Sequence, residues 1–516
     1  MKLKPSVREN NDAEKCLRDK FFFSEFRDSQ FRIIDSILNG HDIFVSMPTG
    51  AGKSLCYQIP ACLLEGTAVV ISPLISLMKD QVDKAVSRGI KAVFLNSSMD
   101  SAGKQIIYEK LLSGQTDIIY TAPERFSMIN FREILRKIKI SFFAIDEAHC
   151  ISEWGADFRP DYLNLSSIKN DFPEIRIAAF TASATLQVQK DIIKKLQMQK
   201  PLIIRNSFNR ENLFYEVRTK HDADSQILEI IKSMPVKSGI VYRTSRKSTE
   251  KTAWFLRQNG IRAAEYHAGL DNETRKDTHD KFLINDINIV VATIAFGMGI
   301  DKPDIRFIIH GDLPKNMEGY YQETGRAGRD GLPAKCILLF NRGDIPKLKY
   351  FISQIENENE KSKAYKKLDI MMNYALSSHC RRKKILNYFD EAYTSENCGM
   401  CDICTRSFKK KDSTRDAQLV IKAIKETGER FGAAHISNIL KGADTKKIRN
   451  YNHQILSSYG TGSHEKTLYW RDLIDEMIIQ HAVSQTPQEY TILKITEHGR
   501  NILTGKEAFF VNYKPG

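Results

Sequence analysis

The sequence predicts two α/β domains in tandem, then a helix-rich module bearing a cysteine cluster, then a smaller domain of short helices with a hairpin. Three observations predict it. Short uninterrupted apolar runs recur with longer helix-like stretches between them, the pattern of parallel strands covered on both faces. At 516 residues the chain is too long for one hydrophobic core, and about 150 residues per domain gives three or four. Beyond the last of those runs, Cys398, Cys401 and Cys404 form a CxxCxxC sequence, which reads as a metal-stapled module.

The elements follow in order. The first set of runs is Ile43-Phe44-Val45, Ala68 to Ile71, Ala92 to Leu95, Ile118-Ile119-Tyr120, Phe142 to Ile145 and Ile177 to Phe180. The second set is Gly239 to Tyr242, Ala263 to Tyr266, Ile289 to Ala292, Phe307-Ile308-Ile309 and Cys336 to Leu339. The joint between the two domains is expected near Ser207 to Leu213. After Arg342 the strand signals stop, a helical stretch leads to the cysteines, and Phe408-Lys-Lys-Lys-Asp-Ser413 reads as a linker. The corresponding expected domains are 1–207, 208–342, 343–407 and 408–516.

Charge and targeting narrow the function classes. Lys+Arg 77 against Asp+Glu 63 gives +14, a balance that suits a polyanion such as nucleic acid and also an ordinary basic soluble protein. The N-terminal segment is polar, and no run approaches the roughly 18 apolar residues that cross a bilayer. The chain is therefore expected to stay inside the cell, away from membranes. Five cysteines stand singly (Cys16, Cys56, Cys62, Cys150, Cys336), the usage of a reduced compartment.

Met47-Pro-Thr-Gly-Ala-Gly-Lys-Ser54 follows a strand and precedes a helical pattern. Glycines at such a turn let backbone N–H groups approach phosphate oxygens, and the helix N-terminus favours the anion. Thr49, Gly50 and Gly52 would shape the loop, Lys53 would meet the β- and γ-phosphates of ATP, and the Ser54 hydroxyl would ligate Mg²⁺. Met47 stands where the strict eight-residue pattern has glycine. Phe142-Phe-Ala-Ile-Asp-Glu-Ala-His149 is a buried-strand pattern ending in two acids. Asp146 can hold Mg²⁺ there and Glu147 can position the attacking water. In Gln322-Glu-Thr-Gly-Arg-Ala-Gly-Arg-Asp330, Arg326 and Arg329 stand three apart on a helix or tight turn, where they read as arginine fingers completing an ATP site between the domains.

Those motifs, in that order, resemble superfamily 2 helicases, and the text around them resembles the RecQ DNA helicase family. The narrower likeness is carried by Ser72 to Gln81, Thr121-Ala-Pro-Glu-Arg125, Cys150 to Pro160, Thr181-Ala-Ser-Ala-Thr185 and Ala292 to Asp304, and it runs from about residue 17 to 505. It implies two RecA-like domains, a helical zinc-binding subdomain and a winged-helix domain. It implies an ATP-dependent DNA helicase of 3′ to 5′ polarity in recombination and repair, with ATP, Mg²⁺ and Zn²⁺. DNA forks and single-stranded tails are the implied partners, with single-strand-binding protein or other repair factors beside them, in the cytoplasm or, in a bacterium, at the nucleoid.

Residue by residue, Phe21 to Gln30 resembles the family's adenine motif. Gln30 would pair with adenine, Phe23 would stack on it and Arg27 would support the pocket, with Gln322 on the facing domain. Phe22 stands where the family usually has glycine. Cys150 to Tyr162 resembles the aromatic-rich loop, with Trp154 and Phe158 as stacking faces and Arg159 as a phosphate contact. Glu153 replaces a usual Gln and Ala156 a usual His, from which a weaker response of the ATPase to DNA is expected. Cys380 joins Cys398, Cys401 and Cys404 as the fourth zinc ligand; four cysteines alone also suit an iron–sulfur cluster. Arg381, Arg382, Lys383 and Lys384 read either as DNA contacts or as a solvated face. Thr486 to Thr491 would be the wing, with Tyr490 as a wedge into the fork. The third C-terminal domain of many longer relatives is not expected. Asp146-Glu-Ala-His149 also spells the box of RNA helicases, which keeps an RNA motor open, as does a DNA-binding scaffold with a weakened ATPase.

Overall fold

Strand formation follows burial. Every residue of β1 (Ile43–Ser46), β2 (Thr67–Ile71), β4 (Ile118–Thr121) and β6 (Ile177–Thr181) is buried, as parallel strands under two helical layers must be. The computed structural model describes residues 7–513 other than 28, 74, 97–98, 156–157, 294–295, 297–301, 396, 406–408 and 487–491. With β3 (Ala92–Leu95), β5 (Ile140–Ile145) and β7 (Leu202–Arg205), these strands form a seven-stranded parallel sheet in the order β3-β4-β2-β5-β6-β1-β7. Helices on its two faces enclose two separate apolar clusters.

A second, six-stranded parallel sheet has the order β10-β11-β9-β12-β13-β8. Its strands are β8 (Leu213–Thr219), β9 (Gly239–Tyr242), β10 (Ala263–Tyr266), β11 (Ile289–Ala292), β12 (Phe307–His310) and β13 (Ala334–Phe340). Two strands lie outside the apolar runs read from the sequence, and both are edges. Each has a run of three apolar residues, Leu202 to Ile204 and Leu213 to Tyr215, but β7 is only partly buried and β8 goes on to alternate with Glu216 and Arg218, as edge strands do.

The Asp344–Ser353, Glu358–Leu376 and Arg381–Tyr388 helices follow, then the cysteine loop. That loop completes the edge of the second sheet. The Tyr215 N–H donates to the Met400 carbonyl at 3.2 Å, and the Asp402 N–H donates to the Tyr215 carbonyl at 2.9 Å. Backbone pairing of this kind removes an open edge. Arg381 and Arg382 are not a solvated face and do not reach outward. Arg381 is 4% exposed and bonds both carboxylate oxygens of Asp402 at 3.0 and 3.3 Å. Arg382 is 3% exposed and donates to the carbonyls of Arg210 and Leu213 at 2.7 and 2.9 Å. Both follow Cys380, which caps the helix start; Arg381 turns inward onto the cysteine loop and Arg382 onto the joint between the two sheets.

The C-terminal domain packs the Thr414–Glu426, Ala433–Lys441, Thr467–Ile479 and Glu497–Leu503 helices around Trp470. Val483–Gln485 and Leu493–Ile495 pair antiparallel and flank the expected wing; Tyr490 lies outside the described residues. The 408–413 segment is not a linker: Lys409–Asp412 pairs antiparallel with Phe510–Tyr513. Three consecutive lysines carry no local strand signal, and the pairing comes entirely from the distant strand. Arg342 ties this domain to the second sheet through Asp472, at 2.7 Å, and Asp475.

His435 Nε2 and His453 Nδ1 lie 2.8 Å apart, with Phe431 stacked on His435. Burial, then His453, lowers the His435 pKa to about 4, and burial lowers that of His453. An imidazole with a depressed folded pKa leaves stability unchanged above its unfolded value near 6.5 and removes it as pH falls from there towards 4, where only the unfolded chain takes up the proton. The thermal midpoint of this domain is therefore expected to fall between pH 6.5 and 4, and the fall is expected to shrink in His435→Gln, as followed by circular dichroism.

Candidate functional site

Ligands of open parallel sheets sit at the carboxyl ends of the strands. Here β5, β6 and β1 are adjacent, and their ends deliver the acidic pair, the Thr181 to Thr185 turn and the phosphate loop to one place. A cleft of about 530 Å³ lies there, between the two sheets. Its lining brings together Phe23, Arg27 and Gln30; Thr49, Gly50, Gly52, Lys53 and Ser54; Asp146 and Glu147; and, from the second domain, Gln322, Arg326 and Arg329.

The phosphate loop runs from β1 into the Lys53–Leu63 helix. Gly52 has φ +82°, which favours glycine, and a Cβ there would stand 2.5 Å from Gln30 Nε2 and displace that amide. Gln30 is 4% exposed; its Nε2 donates to the Ala51 carbonyl at 3.1 Å and its Oε1 accepts from the Arg27 N–H at 2.9 Å. The amide thus holds the loop to the adenine motif. Phe23 is half exposed beside it. Phe22 has φ +60° and is 82% exposed. The turn that glycine makes without strain is kept here by a residue that pays about 1–2 kcal/mol for the left-handed region. Phe22→Gly is expected to stabilise the first domain by about 1 kcal/mol, the unfolded-chain entropy of glycine offsetting part of the gain. An upward shift of the first urea transition checks this; an unchanged midpoint refutes it.

Lys53 Nζ lies 3.7 Å from Glu147 Oε1 and has no hydrogen-bond partner among the described residues. Glu147 is itself left-handed, at φ +47°. Its other oxygen lies 3.3 Å from His149 Nδ1, which is 3.0 Å from Thr181 Oγ1. Burial raises the Asp146 pKa to about 6, with Glu147 adding to it and Lys53 opposing it. Burial acts the same way on Glu147, but there Lys53, then His149 and Arg326, outweigh it and hold the carboxyl well below the usual range. The two carboxyls are driven in opposite directions, Asp146 up by burial and Glu147 down by the cations beside it.

The second domain closes the cleft. The Met317–Thr324 helix ends just before Gly325, and Arg326 and Arg329 lie in the turn beyond it. Thr49 Oγ1 donates to the Gly325 carbonyl at 3.0 Å, and Gln322 Nε2 donates to Ser183 Oγ at 2.9 Å. Arg326 is 5% exposed and its Nε has no hydrogen-bond partner among the described residues. Lys53 Nζ and Arg326 Nε, buried cationic donors without hydrogen-bond partners among the described residues, fit the phosphates of a nucleotide in a cleft of this size. Arg210, in the joint between the sheets, is a residue the motifs do not reveal. It donates to the carbonyls of Gly325, Ala327 and Gly328 at 3.1, 3.0 and 3.0 Å, and nothing in its local sequence separates it from other basic residues.

On the 150–162 loop, Trp154 is 40% exposed, Phe158 is half-buried, and Arg159 Nη1 donates to the Pro73 carbonyl at 3.0 Å. Ala156 lies outside the described residues. The sulfurs of Cys380, Cys398, Cys401 and Cys404 all lie within 4.8 Å of one another. Each accepts a backbone N–H, from Lys383, Met400, Cys404 and Cys398 in turn, at 3.4 to 3.5 Å. Tetrahedral zinc with bonds of about 2.3 Å needs such a spacing, and N–H donors suit thiolate ligands.

Four family models match the chain in order: a DEAD/DEAH box helicase over residues 27–192, a helicase conserved C-terminal domain over 222–331, a RecQ zinc-binding region over 342–405 and an RQC domain over 407–514. The ATP-dependent DNA helicase RecQ of Haemophilus influenzae is 41% identical over 97% of this chain and 81% of its own length. That of Bacillus subtilis is 40% identical over 96% of this chain and 84% of its own length. In fold alone, Saccharomyces cerevisiae Dbp5 bound to RNA and ADP BeF3 is similar with a TM-score of 0.54 at 17% identity, covering 70% of this chain and 99% of that one. The two facing sheets and the cleft between them define an ATP-hydrolysing helicase motor. The chain belongs to the RecQ family of ATP-dependent DNA helicases, and its four-cysteine cluster lies within the residues matched by the RecQ zinc-binding model and fits zinc.

Proposed function

We propose that the protein couples ATP hydrolysis in the interdomain cleft to 3′ to 5′ unwinding of duplex DNA in recombination and repair. The observation that supports it most directly is the meeting of Lys53, the Asp146–Glu147 pair and Arg326 in one buried cleft. In this reading Gln30, Phe23 and Arg27 hold adenine, and the loop from Thr49 to Gly52 cradles the phosphates. Lys53 meets the β- and γ-phosphates, and Gln322 reports closure across the cleft. Ser54 and Asp146 would hold Mg²⁺, which would offset charge on the β- and γ-oxygens. Glu147, kept ionised, orients the attacking water, and Arg326 and Arg329 stabilise charge on the transferring phosphoryl group.

Trp154, Phe158, Arg159 and Tyr490 are the DNA contacts, on single-stranded tails and forks; single-strand-binding protein and other repair factors are the partners such forks bring, at the cell's own DNA. We place the domains at 1–207, 208–342, 343–407 and 408–516, in keeping with the spans of the four family matches. Among the described residues no helix is long and apolar enough to cross a membrane.

The test pairs ATP hydrolysis with strand separation on duplexes carrying a 3′ or a 5′ tail. Unwinding of the 3′-tailed form only is expected. DNA-stimulated hydrolysis without unwinding would make the protein a translocase, and stronger stimulation by RNA strands than by DNA would overturn the substrate.

A further inference from the structure

The aromatic-rich loop is held from outside its own domain. Glu153, one of its departures from the family pattern, does not stand bare on the surface: its Oε2 accepts from Lys363 Nζ at 2.6 Å. The same Lys363 ammonium lies 4.4 Å from the centroid of the Trp154 ring, within cation–π reach. One turn further along the Glu358–Leu376 helix, Lys367 Nζ donates to the Gly155 carbonyl at 2.6 Å. Gly155 is seated so closely that a Cβ would fall 2.2 Å from the His149 carbonyl oxygen. His149 in turn contacts Glu147. A chain of direct contacts therefore runs from two lysines of the zinc-binding subdomain, through the loop, to the carboxylate of the ATP site.

We propose that Lys363 and Lys367 are positioning residues that latch the aromatic-rich loop in the DNA-free protein, and that a DNA phosphate opens the latch by taking Lys363 from Glu153. The proposal rests on the reading that this loop meets DNA. Its chemistry is an exchange of anions. Lys363 is largely sheltered while Glu153 is half exposed, at 16% and 47% for the side chains, so an entering phosphate can reach the pair and replace one carboxylate with another anion. The exchange uncovers the Trp154 face at the moment when an unpaired base can stack on it. Lys367, bonded to a backbone carbonyl, keeps the loop tethered while its tip is released. The substitution to Glu153 is thus what creates the latch, since a neutral amide at that position cannot form the ion pair.

The test is a double-mutant cycle in the full-length protein. Trp470 is fully buried and Trp254 is exposed, so in a Trp254→Phe chain acrylamide quenching reports Trp154. Without DNA or nucleotide, Glu153→Gln is expected to raise that quenching. With oligothymidylate, it is expected to lower the concentration for half-maximal ATPase stimulation by about fivefold, the scale of a partly exposed ion pair. In a Lys363→Met background, Glu153→Gln is expected to change neither reading by more than about twofold, because the carboxylate then has no partner to hold. An equal effect in both backgrounds would show that Glu153 repels DNA directly, and no effect in either would show that the pair restrains nothing; both overturn the latch. Wild-type ATPase indifferent to DNA would sink the DNA-motor reading instead, and the quenching comparison would still decide the latch.

Discussion

Glu147→Gln is expected to leave nucleotide binding near the wild-type level and to lower DNA-stimulated ATP hydrolysis by about a thousandfold, the middle of the range for a lost general base. The amide keeps the shape of the side chain and its place beside His149, but it cannot take the proton from an attacking water. The ground state gives little reason for binding to suffer. Lys53 remains, and losing the carboxylate 3.7 Å away frees its ammonium for phosphate. Asp146 gains too, because Glu147 contributes to the upward shift of its pKa. The strained backbone at φ +47° is unchanged by the substitution, so the result reads the chemistry rather than the fold. Single-turnover hydrolysis beside the affinity for a non-hydrolysable ATP analogue separates the two effects. A loss under tenfold, or a matching loss of affinity, would move the role of base to another group.

Much of this site is legible because its chemistry is local. A phosphate loop, an acidic strand end and a pair of arginines each need a fixed spacing, so each is written contiguously, and the fold only has to bring three short segments to one cleft. The apolar strands are legible for the same reason: burial on both faces forces a continuous run. What is not legible depends on partners far along the chain. Leu213–Thr219 is a strand because β13 and the cysteine loop pair with it, and Lys409–Asp412 because Phe510–Tyr513 does. Arg381 and Arg382 have the composition of a solvated face, and their burial follows from Asp402 and from the carbonyls of the interdomain joint. Lys363 is one lysine among several on its helix until the structure sets Glu153 and Trp154 against it. At Phe22 the sequence departs from glycine while the backbone keeps the glycine conformation, so the motif's geometry survives a residue that disfavours it.

Cys401→Ser is expected to abolish zinc binding and to unfold more than the zinc module. Structural zinc contributes on the order of 10 kcal/mol or more to small metal-dependent folds, and Cys401 is the ligand with the most to disturb. It is fully buried in the apolar cluster that also contains Tyr215, Leu368 and Phe389. Its immediate neighbours Met400 and Asp402 close the edge of the second sheet on Tyr215, and Asp402 satisfies the buried Arg381. Losing the metal leaves the three remaining sulfurs, within 4.8 Å of one another, with no ion to join them, so the loop can open, and the opened loop withdraws Asp402 from Arg381. A buried guanidinium stripped of its carboxylate costs several kcal/mol in its own right. The damage then reaches the joint, where Phe389 stacks on Phe208 at 4.5 Å and Glu391 accepts from the Phe208 N–H at 2.6 Å. The variant is therefore expected to carry no zinc by metal analysis, against one ion per chain in the wild type, and to lose unwinding together with much of its ATPase. Limited proteolysis is expected to cut first between residues 376 and 405. A variant that lacks zinc yet unwinds normally would show that the Tyr215 and Arg381 contacts suffice to hold the loop without metal; iron in place of zinc in the wild-type protein would reassign the four thiolates to a cluster.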